Sequence, residues 1–155
     1  MKNWHKNYKR CFYNKFNNIS TSERKALRRI TRKEAGLDDY VIYSILNTNI
    51  TMELGVAVGM IARSILALYN QLVADRAKNP YITQWQNTGE NIIVLRGYNH
   101  KHLKYLESET KFAALGKHAI YHRWCHNRLM LVLSLLGRRE DFEDIFDGLP
   151  SLRRW

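Results

Sequence analysis

Three histidines, His118, His122 and His126, recur every four residues, with Cys125 directly before the last. On a helix this spacing lines one face, an arrangement that can ligate zinc. A strand or loop does not hold such a set together. The other candidates to complete a site, His5, Cys11, His100 and His102, are scattered along the chain. The segment reads as strand and loop, so these are histidines on a basic surface, and neither metal nor cofactor is expected. Cys125 with His122 or His126 as base would make a nucleophilic pair. Adjacent residues rarely meet productively, however, and an inert cysteine is far commoner. The chain has no glycine-rich phosphate loop, no His-Glu-x-x-His and no Gly-x-Ser-x-Gly.

The cations are more informative. Arg63 is the only charge between Glu53 and Asp75, in an otherwise apolar stretch. Its guanidinium must reach solvent, a carboxylate or a phosphate, because a lone buried charge is costly. His122, Arg123, His126 and Arg128 form a positive loop, and no carboxylate occurs between Glu109 and Glu140. Near the N-terminus, Arg24, Lys25, Arg28, Arg29, Arg32 and Lys33 place six bases in ten residues. Such a face repels itself unless an anion is present. Before it, Trp4, Tyr8 and Phe12 stand four apart among lysines and arginines. Rings among bases suit stacking on unpaired nucleotides. The helical spacing favours instead a stripe covering the domain's own apolar surface.

The chain that positions these residues has 155 of them, 45% hydrophobic and 25% charged, with a net charge of +11. That size and composition suit one globular domain with an appendage and exclude a disordered or fibrous chain. The charge predicts a polyanionic partner, nucleic acid first and an acidic membrane surface second. Residues 1–39 hold eleven Lys/Arg against four Asp/Glu, so the first quarter carries most of the surplus. We divide the chain into a basic, aromatic and helical extension, 1–39, and a domain, 40–155. Two cysteines are too few for a disulfide framework, which fits a reducing, cytoplasmic setting. The first 22 residues lack acids, which leaves an organellar transit segment open. No apolar run is expected to span a bilayer, since Leu54 to Leu72 contains Arg63, two glycines and a polar end.

Periodicity predicts the elements. Ser20 and Glu23 form a capping box for a helix running to Gly36. Residues 40–46 are β-branched and aromatic, a strand buried on both faces. Thr51 is placed to cap a helix over 52–73, apolar nearly all round and so central, with Gly55, Gly59 and Ala62 allowing a close neighbour. A short helix over 81–87, a strand over 91–96 and a helix over 100–114 with Leu103, Leu106 and Phe112 inward follow. Strands over 118–124 and 129–136 and a helix over 139–146 complete the order β-α-α-β-α-β-β-α. The expected fold is α/β: a four-stranded mixed sheet with helices on both faces. Val41, Ile45, Ile93, Leu95, Val132 and Leu133 are expected in its core.

That order and its particular words resemble the type-2 peptidyl-tRNA hydrolase family over residues 40 to 152. In that family a first strand and turn lead into a helix beginning Met-x-x-Gly-Lys, and Met52 and Gly55 fit here, with small residues following and Tyr69 closing. Trp85 and Gly89 match the family's Trp-x-x-x-Gly before the second strand. The final strand, glycine, acidic helix and Gly-x-Leu-x-Leu tail find counterparts ending in Gly148, Leu149 and Leu152. The departures fall where the resemblance would put the chemistry. Val56 stands in place of the lysine, and Met60 and Arg63 in place of a glutamine and a histidine. The loop between the last two strands lacks the family's aspartate, so no catalytic residue carries over.

The resemblance implies tRNA, and the charge independently implies a polyanion. The expected function is binding of tRNA or another structured RNA, with ribosome association as a further expectation and no membrane partner. The expected contacts are Arg24, Lys25, Arg28, Arg29, Arg32, Arg63, His122, Arg123, His126 and Arg128. One rival is an active esterase using other residues. A second is a protein-binding module for an acidic partner. Oligomeric state is not readable from the sequence, and a dimer is open.

Overall fold

The computed structural model describes residues 39–124 and 127–152. The expected helix over 23–35, its bases, Cys125 and His126 lie outside the described residues.

The first strand, β1 (Tyr40–Asn47), is buried along its whole length. It lies at the centre of the sheet, parallel to β2 (Ile92–Gly97) on one side and antiparallel to β4 (Asn127–Arg138) on the other. β3 (Gly116–Trp124) is the outer neighbour of β4, so the order is β2-β1-β4-β3. This is the mixed α/β sheet expected from the unbroken apolar runs. Residues 150–152 pair onto the outer edge of β2: Arg96 donates to the Pro150 carbonyl at 2.9 Å, and Leu152 to the Val94 carbonyl at 3.0 Å.

Helices cover both faces. On one, α1 (Leu54–Ala74) and α2 (Asn79–Asn87) pack Leu68, Leu72, Ile82 and Trp85 against Tyr40, Ile42 and Leu136. On the other, α3 (His100–Glu109) and α4 (Arg139–Phe146) pack Leu103, Leu106, Phe142 and Phe146 against Val41, Tyr43, Ile45 and Leu133. Alternate residues of β1 thus serve opposite cores, which explains its unbroken apolar sequence. Small side chains let α1 sit close: Ser44 and Ser134 face each other across β1 and β4, their hydroxyls 3.0 Å apart.

The structure corrects several expectations. α1 is not central. Only Ala57, Ile61, Ser64, Leu68 and Leu72 are buried, one stripe against the sheet. Gly55, Gly59 and Ala62 are exposed, and no described atom comes within 4 Å of where a Cβ would sit at either glycine. Apolar composition alone therefore misjudges burial here. By length and composition α1 is also apolar enough to cross a membrane, against the expectation that no run qualifies. Thr51 does not cap it; α1 begins after Glu53 without a side-chain cap. The third helix ends at Glu109, because the Thr110 hydroxyl donates back to the Leu106 carbonyl at 2.7 Å and the chain turns. Phe112 therefore points outward, 95% exposed. Ile93 is only half-buried, since β2 is an edge strand. The other five expected core residues are buried.

Gly137 shows how tightly α4 meets the sheet. A Cβ there would strike the Phe142 ring and lie 2.9 Å from the Ala113 carbonyl oxygen. Overpacking of this kind costs about 1–3 kcal/mol. Gly137→Ala is expected to lower unfolding free energy by about that amount in urea titrations. Gly59→Ala, in open helical space, is expected to raise it by about 0.5–1 kcal/mol.

Candidate functional site

The connection leaving β1 passes over one face of the sheet and that leaving β2 over the other. In α/β sheets such a reversal opens a crevice beyond the carboxyl ends of the strands, where ligands bind. Here the strand ends are tied together. Thr48 donates to the Gly97 carbonyl through its amide at 3.0 Å and its hydroxyl at 2.6 Å. The Asn99 side chain caps α3 by accepting from the His102 amide at 2.9 Å. The β3–β4 hairpin reaches the same end, because the start of β4 lies antiparallel to the finish of β1.

A bulge interrupts this hairpin. Ile120 pairs with Val132, but the next residue, Tyr121, pairs with Met130, leaving Leu131 unopposed. Leu131 and Val132 consequently both pack on the α1 side, while Met130 packs on the α3 side. The bulged backbone is held by two side chains. The Met130 amide donates to His100 Nδ1 at 2.9 Å, and its carbonyl accepts from Asn47 Nδ2 at 2.8 Å. Asn47 is buried and also accepts from the Asn49 amide at 3.0 Å.

The bulge decides where the hairpin's cations go. It shifts the alternation of residues 127–130 by one, so Arg128 lies over the Tyr121 ring on the α3 side, its guanidinium carbon 5.5 Å from the ring centroid. Arg123, two residues beyond Tyr121, shares that face and stands opposite Arg128 in the pairing register. Both are exposed, and no carboxylate among the described residues pairs with either. Beside them, Lys104 donates to the Tyr121 hydroxyl and to Glu107, each at 2.9 Å. Lys117 reaches the other Glu107 oxygen at 2.8 Å. Hydrogen bonds to Tyr121 and Glu107 hold the Lys104 ammonium above its ordinary pKa. Burial pushes Glu107 up, but its bonds to Lys117 and Lys104 prevail and keep the carboxyl below its usual value.

The expected contacts are therefore divided. Arg63 is exposed on α1. His122, alternating with Tyr121 and Arg123, is exposed on the α1 side. Arg123 and Arg128 come together on the opposite side. His126 and the 24–33 bases lie outside the described residues. His118 is half-buried, its carbonyl accepting from Ser64 at 3.4 Å. Among the described residues no three His, Cys, Asp or Glu side chains converge as metal ligands. Sequence reasoning missed Lys104, Lys117 and Tyr121. The Lys104–Glu107 spacing of three was a visible signal, whereas the approach of Lys117 and Tyr121 depends on the packing of α3.

His100 and His102 both accept backbone amides at Nδ1, the latter from Tyr98 at 3.1 Å. Both rings shape the backbone by accepting at this nitrogen. Burial also holds His102 below the ordinary histidine value of 6.5. The unfolded chain then takes up this proton before the folded one does. The His102 contribution is present above that value and is lost as pH falls below it. Urea midpoints compared at about pH 7.5 and about pH 5.5 are expected to fall more for wild type than for His102→Gln.

No curated protein matches the chain. The family described as "Peptidyl-tRNA hydrolase PTH2" matches over residues 40–137, from the first residue of β1 to the penultimate residue of β4. That match takes in the four strands of the sheet, the helices between them and the bulged hairpin, and the chain belongs to the PTH2 peptidyl-tRNA hydrolase family.

Proposed function

We propose that this protein binds tRNA through its cations and has lost the family's hydrolytic chemistry. The single observation that carries the binding half is the Arg123–Arg128 pair. Like charges directly opposite across two strands destabilise a hairpin. This pair persists without a carboxylate among the described residues, and a phosphate backbone supplies the missing counter-charge. The family acts on peptidyl-tRNA, which makes tRNA the polyanion of choice. Arg63, His122 and the bases Arg24, Lys25, Arg28, Arg29 and Arg32 extend the expected contacts.

The catalytic half rests on α1. At the place where the resemblance puts a lysine, Val56 stands 47% exposed. A valine neither donates a hydrogen bond nor stabilises an oxyanion. Losing one such donor costs on the order of a hundred- to a thousand-fold in rate. On the other face of the sheet, the imidazoles of His100 and His102 are engaged as acceptors of backbone amides.

The purified protein is expected to bind tRNA with an affinity that falls linearly on a log–log plot against salt. It is expected to release peptide from peptidyl-tRNA no faster than buffer does. Neutralising Arg24, Arg28, Arg29 and Arg32 together is expected to weaken binding and flatten the salt slope. Robust turnover abolished by Arg63→Ala or His122→Ala would overturn the catalytic half and establish a rewired site. Salt-independent binding, or none to any RNA, would favour an acidic protein partner.

A further inference from the structure

We infer that the α3-side face of the β3–β4 hairpin, formed by Lys104, Lys117, Tyr121, Arg123 and Arg128, is a track for the RNA phosphate backbone, on the opposite face of the sheet from α1, where the resemblance places the family's lysine. The inference rests on the RNA reading and assigns that RNA a path.

Four observations converge on this face. Four exposed cations share one carboxylate, Glu107, which is only 17% exposed and already holds two of them. The remaining two, Arg123 and Arg128, stand opposite each other. Arg128 lies over Tyr121 from one direction and Lys104 Nζ lies 5.3 Å from the same ring. The Tyr121 ring thus fixes one guanidinium and its hydroxyl fixes one ammonium, which lowers the entropy lost when an anion is bound.

The length of the track selects the ligand. Six residue steps separate Lys117 from Arg123 along β3, about 20 Å of extended chain. That span suits several successive phosphates and exceeds a single small anion.

The bulge is what builds the track. If β4 alternated regularly through Leu131, with no bulge, Arg128 would fall on the α1 side, away from Arg123, Tyr121 and Lys104. Its backbone is fastened by His100 and Asn47, which lie outside the cationic strip. Bulges that redirect a side chain are common beside functional sites.

The test is tRNA binding by the full chain across a salt series. Arg123→Gln with Arg128→Gln is expected to weaken binding at least tenfold and reduce the log–log slope by about two. A control of equal charge loss, Arg76→Gln with Arg96→Gln, alters exposed arginines in the turn after α1 and on β2. It is expected to change affinity less than threefold. Tyr121→Leu keeps the charge and removes the ring beneath Arg128. It is expected to weaken binding several-fold with the slope unchanged, while circular dichroism and the urea midpoint report that the fold is kept. If the control pair weakens binding as much as the track pair, net charge alone is at work and the track is overturned. Unaltered tRNA binding by the Arg123/Arg128 variant, with loss instead of binding to a polyglutamate peptide or to phosphatidylserine vesicles, also overturns it. A wild-type protein that binds no RNA removes the RNA reading itself, and the track with it.

Discussion

The peptide unit around Met130 organises the end of the sheet where the candidate site lies. Its amide donates to His100 at the start of α3, and its carbonyl accepts a hydrogen bond from the Asn47 side chain at the end of β1. A bulged residue leaves backbone groups without ladder partners, and buried groups of that kind are costly to leave unsatisfied. Two side chains from different elements meet the need at once. They also fasten together β1, α3 and the hairpin, three elements distant in sequence. The direction of Arg128 follows from this arrangement, and so does the meeting of Arg123, Tyr121 and Lys104.

The other face of the sheet answers to a different constraint. Ser44, Ser134 and Ser64 are all buried there, and their small size brings α1 close to the strands. The outer surface of α1 is apolar and glycine-containing, interrupted by Arg63. This face retains the family's architecture but not, by the resemblance, its charged residues. The cations Lys104, Lys117, Arg123 and Arg128 stand on the other face, on α3 and the hairpin.

Much of this was legible in the sequence because burial writes a periodic record. The β1 run 40–47, buried on both faces, and the 139–146 helix, with Phe142 and Phe146 four apart, were readable for that reason. The features that matter most for the site left no such record. The bulge depends on pairing between two strands, and nothing in the run Leu129–Leu136 marks Leu131 as the extra residue. With the bulge unseen, His122, Arg123 and Arg128 merged into one positive loop, whereas the strand divides them between faces. Phe112 was misplaced because a helical period was continued past Thr110, whose hydroxyl closes the helix. The exposure of Val56, Val58 and Leu66 was hidden for the opposite reason, since apolar residues on a helix carry no label for the side that meets the sheet.

The most direct measurement is a nuclear magnetic resonance titration of the isotopically labelled full chain with tRNA at neutral pH. The amides of Tyr121, Arg123, Arg128 and Met130 are expected to shift or broaden together at low RNA equivalents, with those of Val56 and Val58 little changed. Perturbations confined to the start of α1, with the hairpin amides silent throughout the titration, would contradict the placement of RNA on the bulged hairpin.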